Sequence, residues 1–276
     1  MASVETFWEA GHKITGHDVD GSLSLGYRRF RAFFGTSPLV CVVAWDIMSM
    51  TRPTTSRPKH LLWALLLLKR YSVEDVNAAL TGVSEKTFRK WSHIFINLLA
   101  DMPVLCWEDR FRSAPRDAST FISLDGTDFK IMEPSDFDPK WWSHKFNGPG
   151  LRYEVGICIR TGDIVWAHGG LPCGEWPDLR LARNAIIAAL RPGEKIIADR
   201  GYNDQNFFEV PNGNADLQKK QILARHETVN KRIKQFCCLN FRFRHSLHLH
   251  PRFFHAVVNL TQLMNQNGKP LYSVNF

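Results

Sequence analysis

The sequence lacks a hydrophobic stretch long enough to cross a membrane. Its longest apolar run is Leu61–Leu68, whereas a transmembrane helix needs about 20 consecutive apolar residues. The first residues, MASVETFWEAGHK, also lack the basic start and apolar stretch of a secretory signal. We therefore expect an intracellular protein without a membrane span.

Paired cysteine motifs are also missing. The six cysteines include no CxxC pair, which argues against a zinc ribbon and against a thioredoxin-like redox site. A C-terminal group of cysteines and histidines has a spacing that fits no standard zinc finger. We interpret the cysteines as reduced thiols, and zinc as the weaker alternative for the C-terminal group. The members of this group are Cys237, Cys238, His245, His248, His250 and His255.

Acidic residues are scarce in one part of the chain. The 276 residues include 35 Lys and Arg against 27 Asp and Glu, a net charge of +8. Residues 219–252 contain nine of these basic residues and a single acid, Glu227. Such concentrated positive charge is typical of a surface that binds the phosphate backbone of nucleic acid. A solvated basic face without a partner is the alternative interpretation.

Residues 58–117 are predicted to form a small helical domain. Pro58 suits the first turn of a helix, Ser72 and Ser84 suit the caps of two further helices, and Gly82 suits the end of the second. Three short helices with a basic outer face on the last are typical of a helix-turn-helix, and a plain helical bundle is the alternative. The candidate DNA contacts on the third helix are Lys86, Arg89 and Lys90.

The hydrophobic pattern changes after residue 120. Three adjacent strands, followed by a helix, a strand and two helices, predict a mixed sheet with helices packed on it, which is an α/β domain. The stretch FKIMEPSDFDPKWWSHKFNGPG is predicted to be an inserted loop. The predicted strands cover 121–124, 152–159, 164–168 and 195–198, and the predicted helices cover 178–190, 221–236 and 251–265.

Three acids stand where this order of elements would bring them together. Asp125 ends the first strand, Asp199 ends the fourth, and Glu227 lies on the following helix. Strand ends of an open sheet border its ligand crevice, and carboxylates are the hard oxygen ligands of Mg²⁺ or Mn²⁺. Two such ions support in-line displacement at a phosphodiester. Turn formation is the alternative explanation for each Asp, and Glu209 is the alternative to Glu227.

The helix that carries Glu227 is predicted to be amphipathic. Asn230, Lys231 and Lys234 share its polar face at helical spacing, opposite a buried side that begins at Ile222. The carboxylate can hold a metal ion that binds one phosphate, and the lysines can neutralise the phosphates on either side of it. The candidate DNA contacts in this basic region are Lys231, Lys234, Arg242 and Arg244.

Five stretches in this order, SLDGTDF, KWWSHKFNGPGLRYEVG, GDIVWAHGGLPCGEWPD, IIADRGY and ARHETVNKRIK, resemble the DDE superfamily endonuclease domain of PIF/Harbinger-type transposases. The resemblance covers about 121–263, and SEKTFRKW is similar to the helix-turn-helix that often precedes this domain. It implies an RNase H-like fold, dependence on a divalent metal, and metal-binding acids at Asp125, Asp199 and Glu227. The Asp of the family's G-x-x-x-D segment matches Asp178, which helix capping explains equally well.

The combined features predict a metal-dependent DNA endonuclease or transposase. We expect it to hydrolyse DNA phosphodiesters and to transfer strands with two Mg²⁺ or Mn²⁺ ions, which the three acids bind during catalysis. His144 and Lys145 of the inserted loop, with Asp178, are candidate auxiliary residues of this site. The alternatives are a transposase-derived DNA-binding protein without nuclease activity and an RNA nuclease of the same fold.

The predicted organisation has three parts. An N-terminal extension covers 1–57, a helix-turn-helix-like domain covers 58–117, and an RNase H-like endonuclease domain covers 118–276. The expected partner is DNA, both at the element ends and at the target, with an accessory DNA-binding subunit and a second copy of the chain as further candidates. The family resemblance implies the nucleus as the location.

Overall fold

The structure is a computed structural model that describes residues 2–16, 22–134, 136, 138–212 and 216–276. The chain divides into two compact units, and both draw on distant parts of the sequence. The helical unit comprises Met1–Val104, Ile233–Phe241 and His248–Gly268, and the sheet unit comprises Leu105–Arg232, Arg242–Leu247 and Lys269–Phe276.

The helices and strands alternate in the order predicted for the second half of the chain, with additional short elements. In chain order they are α1 (Val4–Thr15), α2 (Leu23–Phe34), α3 (Pro38–Ile47), α4 (Pro58–Arg70), α5 (Glu74–Thr81), α6 (Glu85–Ala100), β1 (Thr120–Lys130), β2 (Trp142–Ser143), β3 (Gly148–Cys158), β4 (Ile164–Pro172), α7 (Asp178–Asn184), β5 (Lys195–Ile197), β6 (Phe208–Glu209), α8 (Leu217–Lys234), α9 (Cys237–Asn240) and α10 (His250–Gln266).

The N-terminal segment is helical rather than a mixed extension. Ser3 and Thr6 form a capping box at the start of α1, in which each side chain accepts a hydrogen bond from the other residue's backbone N–H. Ser37 caps α3, and Pro38 occupies its first turn. These caps satisfy the N–H groups that a helix start leaves without partners. Residues 1–57 therefore contribute helices to the same unit as α4–α6.

Helices α4, α5 and α6 form where the sequence predicts them. Gly82 ends α5 in the left-handed conformation at φ +65°, and the Ser84 hydroxyl accepts the backbone N–H of Thr87 at the start of α6. The prediction that Ser72 caps α5 is wrong. Val73 precedes that helix, and no side chain caps it.

The core of the helical unit surrounds α4. Leu61–Leu68 is buried on all sides, as is expected of a helix that is apolar around its whole circumference. Phe95 of α6 is fully buried and stacks on Trp45 of α3, with ring centroids 5.7 Å apart. Asn259 of α10 donates from its amide to the Leu99 carbonyl at 2.8 Å, which satisfies an otherwise unpaired group near the C-terminal end of α6.

The sheet unit contains a mixed sheet of six strands. β1 pairs with β3 in antiparallel orientation and with β5 in parallel orientation, β5 pairs with β6 in parallel orientation, and β3 also pairs with β2 and β4 in antiparallel orientation. The predicted fold class is confirmed: the chain has an RNase H-like mixed sheet flanked by helices and a helical N-terminal region.

Helices cover both faces of this sheet. Ile122 and Leu124 of β1 pack in one cluster with Ala182 of α7, whereas Ile197 of β5 and Ile222 of α8 pack in a second cluster. Successive side chains of a strand point to opposite faces. Ser123 and Asp125 therefore lie on the face of β1 opposite Leu124 and Gly126.

Several elements differ from the prediction. β1 extends to Lys130 and β3 begins at Gly148, so the inserted loop is shorter than predicted and contains β2. The predicted helix 178–190 is regular only to Asn184, and a 3-10 turn, Ile186–Ala189, follows it. Strands of two residues, such as β2 and β6, are too short to produce an alternating pattern in the sequence.

The predicted domain boundary between residues 117 and 118 stays a prediction. The structure differs from the predicted organisation in the unit to which two C-terminal helices belong. The prediction places α9 and α10 in the endonuclease domain, whereas the structure packs them in the helical unit. α10 is buried along most of its length there, because its apolar residues leave little polar face for solvent.

Within the described ranges, no single helix is long and apolar enough to cross a bilayer. Leu23–Phe34 and Pro38–Met50, which meet at a bend of 50°, meet the length and composition test only as a pair.

Candidate active site

A crevice opens where β1 changes its pairing. β5 pairs with β1 only as far as Ser123, opposite Ile197, and β1 continues beyond that point beside β3 alone. Asp125 lies on this continuation, and Asp199 follows the end of β5 by two residues. Ligands of open α/β sheets bind at such a switch point, outside the strand ends.

Helix α8 is attached to β1 by two hydrogen bonds. His226 Nε2 and Ser123 Oγ are 2.9 Å apart, and Asn230 Nδ2 donates to Asp125 Oδ2 at 2.9 Å. Four residues of helix advance about 6.0 Å, and two residues of strand advance about 6.6 Å. The two distances are similar, so α8 can run along β1 and make both contacts.

One cavity of about 300 Å³ brings the three predicted acids together. Asp125 is half-buried, whereas Asp199 and Glu227 are exposed. The cavity lies between the sheet edge and α8. Its lining consists of Leu124, Asp125, Asp199, Lys220, Leu223, Ala224, His226 and Glu227.

Burial and charge shape the electrostatics of this cavity. Burial raises the pKa of Asp125, and the nearby Asp199 carboxylate raises it further, whereas the Lys145 ammonium and the Asn230 hydrogen bond oppose both effects. Asp199 accepts the Gly201 backbone N–H at 2.8 Å, so it makes the predicted turn and still lines the cavity. Burial lowers the pKa of His226 to about 3, which keeps this imidazole neutral near pH 7.

The auxiliary candidates occupy the same sheet edge. Asp178 is the first residue of α7, and one oxygen lies 3.3 Å from Arg152 Nε while the other lies 3.8 Å from Lys145 Nζ. Lys145 Nζ also donates to the Gly126 carbonyl at 2.6 Å. Burial raises the pKa of Asp178, against the two cations. His144 is exposed beside Lys145.

The predicted DNA contacts of α6 are on the surface of the helical unit. Lys86, Arg89 and Lys90 are exposed. Arg89 is held by a two-pronged ion pair with Glu74 of α5, which ties the last two helices of the predicted helix-turn-helix together. Lys90 Nζ lies 5.6 Å from the centre of the Trp91 ring.

The basic C-terminal region contributes fewer surface charges than its composition indicates. Lys231, Arg242 and Arg244 are exposed, and Lys234 is half-buried. Arg225 is 1 % exposed and donates to the Ile159 carbonyl. Further internal contacts include an ion pair from Lys219 to Glu209 at 3.0 Å, a hydrogen bond from Arg232 to the Lys269 carbonyl at 2.6 Å, and an ion pair from Arg252 to Asp101 at 2.7 Å.

The donor chemistry of the three acids fits Mg²⁺ or Mn²⁺. All three are carboxylates. Burial and the nearby Asp199 carboxylate raise the pKa of Asp125, and a bound cation would relieve the repulsion between the two acids. As they stand, no three His, Cys, Asp or Glu side chains of the described residues are arranged to hold a metal. The carboxylates would therefore have to approach one another on binding.

The sequence did not single out the residues that support the acids. Ser123, His226 and Arg152 are buried, polar and paired. Helical spacing places Asn230 on the polar face of α8, but it does not indicate the contact with Asp125. Local periodicity indicates which face of a helix is polar, but it carries no information about a strand that is about 100 residues away in sequence.

One comparison with known proteins shows the family of this chain. The family model of the DDE superfamily endonuclease matches residues 124–262, a range that contains Asp125, Asp199 and Glu227. No curated protein matches the chain. The crystal structure of a pre-cleavage Mos1 transpososome is similar at 9% identity over 99% of this chain and 100% of that chain, but its TM-score of 0.27 is too low to support a conclusion. Because the family model spans half of the sequence and includes the cavity acids, the chain belongs to the DDE superfamily endonuclease family.

Proposed function

We propose that the protein is a divalent-metal-dependent DNA endonuclease of the transposase type. The observation that carries this proposal is that Asp125, Asp199 and Glu227 line the same cavity of about 300 Å³. DDE superfamily nucleases generally use divalent metals. Asp125, Asp199 and Glu227 would hold two Mg²⁺ or Mn²⁺ ions here.

Each acid would bring a different property to the site. Asp125 is half-buried and fixed by Asn230, so its carboxylate is oriented before any ion arrives. Asp199 and Glu227 are exposed and can move toward an ion. Bound ions would activate the attacking water or 3′-hydroxyl and stabilise the leaving oxygen of the phosphodiester.

The exposed cations would bind the flanking phosphates. Salt-sensitive DNA binding is expected from such contacts. A helix-turn-helix role for α4–α6, an accessory DNA-binding subunit, a second copy of the chain and a nuclear location belong to the same proposal. The proposed contacts are Lys86, Arg89 and Lys90 on α6 and Lys231, Lys234, Arg242 and Arg244 in the basic C-terminal region.

Plasmid cleavage tests the proposal. We expect purified protein to nick or linearise supercoiled DNA with Mg²⁺ or Mn²⁺, and Asp199→Ala to abolish cleavage while DNA binding persists, because only the metal-holding carboxylate is lost. Asp125→Ala and Glu227→Gln should act in the same way. Products are measured on agarose gels, and binding by gel retardation.

Glu209→Gln is the matched control. Glu209 is the other acid considered for the third position, and it lies on β6 in an ion pair with Lys219 outside the cavity lining. Cleavage should survive this change. Undiminished cutting by the triple variant of Asp125, Asp199 and Glu227 would refute the proposal. Retardation without any metal-dependent cutting would favour a DNA-binding protein that does not cut.

A further inference from the structure

The β2–β3 hairpin carries a lysine to the crevice beside the acids. Lys145 lies in the turn between β2 and β3, and its Nζ reaches the Gly126 carbonyl of β1 at 2.6 Å. Gly126 directly follows Asp125. The ammonium therefore lies at the part of β1 that borders the cavity acids.

The hairpin holds this lysine in a fixed place. The Ser143 hydroxyl accepts the Lys145 backbone N–H at 3.2 Å and donates to Asp128 at 2.5 Å. Asp128 is buried and is held by two further hydrogen bonds from Arg152, at 2.8 and 2.9 Å. A buried, fully paired network of this kind is rigid, so the base of the lysine side chain has little freedom.

The ammonium faces several carboxylates at once. Lys145 Nζ is 3.8 Å from Asp178 Oδ2, and its charge opposes protonation of Asp125 and Asp178. Arg152 already neutralises Asp128 and lies 3.3 Å from Asp178. Arg152 therefore already compensates the charge of Asp128 on β1 and of Asp178 on α7.

The Lys145 side chain is more exposed than a side chain that only bridges buried groups. Its side chain is 44% exposed, whereas the Arg152 side chain, which does bridge buried groups, is 9% exposed. An ammonium has three donors, and the Gly126 carbonyl uses one of them. The side chain is therefore accessible to a phosphodiester, which would take a further donor of the ammonium.

We propose that Lys145 contacts the scissile phosphate through a non-bridging oxygen. The inference rests on the proposed nuclease function and assigns a substrate contact within that site. The fixed positive charge would offset the repulsion between the phosphate and the surrounding carboxylates, and it would stabilise the charge that grows on the phosphate oxygens during displacement. Lys145 would then be a catalytic residue of this chain.

The test compares three variants for cleavage and for DNA binding. Lys145→Met should lower the cleavage rate about 100-fold, because one charged donor to the reacting group is lost. It should also reduce the slope of log affinity against log salt by about 0.9, which is the value for one phosphate contact. Binding is measured by fluorescence anisotropy in Ca²⁺, with gels to verify that the DNA stays intact. Lys145→Arg should restore most of both properties.

Lys140→Met is the matched control. Lys140 precedes the same hairpin, is 47% exposed, and pairs with Asp138 at 2.7 Å, away from the carboxylates of the crevice. Its replacement should leave the cleavage rate and the salt slope unchanged. Thermal unfolding of each variant measures the stability that is lost with the Gly126 contact. If Lys145 had only a structural role, Lys145→Met would lower the unfolding temperature and leave the salt slope unchanged.

The outcomes separate this inference from the proposed function. A wild-type protein that cuts, with Lys145→Met cutting at the same rate, would overturn the lysine contact and leave the nuclease intact. A wild-type protein that never cuts would refute the nuclease. In that case an unchanged salt slope for Lys145→Met would overturn the contact independently, and failure of Lys145→Arg to restore the slope would do so as well.

Discussion

Gly126 and Asp178 meet closely in the sheet unit. A Cβ atom at position 126 would lie 2.0 Å from Asp178 Oδ1 and 2.7 Å from its Cγ, well inside van der Waals contact. Gly126 does not have a positive φ, so its backbone would accept alanine. The glycine is needed here for space, and the space is occupied by a carboxylate.

We expect Gly126→Ala to destabilise the protein by about 1–3 kcal/mol, the usual effect of overpacking. The added methyl group must displace the Asp178 carboxylate, which then loses its 3.3 Å ion pair with Arg152. The free energy of unfolding is measured by urea titration. In an Asp178→Ser background the same substitution should cost less, since the smaller side chain leaves room.

Gly148→Ala is the control for this prediction. Gly148 also lies in a strand and has no positive φ, but the nearest atom to a Cβ there is 3.8 Å away, in Phe146. Its free energy of unfolding should change by less than about 0.5 kcal/mol. Equal losses at the two glycines would contradict the role assigned to Asp178.

Asp178 also illustrates what the sequence could not supply. Capping was one explanation for its position, but α7 begins at Asp178 itself, after Pro177, and no side chain caps the helix. The carboxylate instead turns toward Gly126 and Lys145. Helix starts are local and can be predicted, whereas contacts with residues more than 30 positions away depend on the packing of the sheet.

At the scale of elements, α8 and β1 form the framework of the cavity. Ser123 and His226 are both buried, at 0% and 3% exposure, and their hydrogen bond is one helical turn from the Asn230 contact to Asp125. Glu227 follows His226 directly. The buried bond therefore fixes the rotation and the height of α8, and with them the direction of Glu227.

We expect Ser123→Ala to lower the free energy of unfolding by about 1–3 kcal/mol, because it leaves the buried imidazole without its partner. Urea unfolding gives this value. A double-mutant cycle with His226→Phe is the control, since removal of both polar groups leaves nothing unsatisfied. The double variant should lose less free energy of unfolding than the two single variants lose in total. Simple additivity of the two substitutions would contradict the contact.

Elements with strong local signals could be predicted, and short ones could not. The buried side of α8 follows from its helical spacing, and Ile222, Val229, Ile233 and Phe236 are fully buried as predicted. The helices before residue 57 were missed although Ser3, Ser37 and Pro38 carry capping signals. Mixed composition in that segment masked these signals, because propensity is weak compared with packing.

At the scale of the whole molecule, net charge overstates the amount of exposed positive charge. Residues 219–252 hold the entire excess of positive charge, but Arg225 and Arg232 donate to backbone carbonyls. Lys219 and Arg252 pair with acids. A count of charges treats every cation as exposed, whereas a guanidinium can satisfy several buried carbonyls at once.

Both units contain titratable groups whose pKa values burial shifts strongly. The pKa values of histidines are lowered, and that of a glutamate is raised. Burial lowers the pKa of His226 and of His250 to about 3, and that of His60 to about 4. Burial raises the pKa of Glu154 to about 8, although Trp166 donates a hydrogen bond to it at 2.8 Å. All four groups are therefore neutral in the folded protein near pH 6.5.

These shifts give stability opposite slopes on the two sides of pH 6.5. An unfolded histidine binds a proton near its ordinary pKa of 6.5, so below that pH the unfolded state takes up more protons and stability falls as the pH decreases. The carboxyl of Glu154 remains protonated in the folded state from its ordinary pKa of 4.5 up to about 8. Across that interval its contribution to stability falls as the pH rises.

We therefore expect the free energy of unfolding to be greatest slightly above pH 6.5, where the unfolded histidines have lost most of their protons and the penalty for Glu154 is still incomplete. Urea unfolding at several values between pH 4.5 and 8.5 measures the profile. Glu154→Gln is the control, because an amide cannot ionise: it should remove the decline above pH 6.5 and keep the decline on the acid side. Stability that rises steadily to pH 8.5 in the wild type, or an alkaline decline that persists in Glu154→Gln, would contradict the assignment. The position of the maximum thus depends chiefly on the strongly shifted groups, three histidines and one carboxyl, that the fold holds without charge.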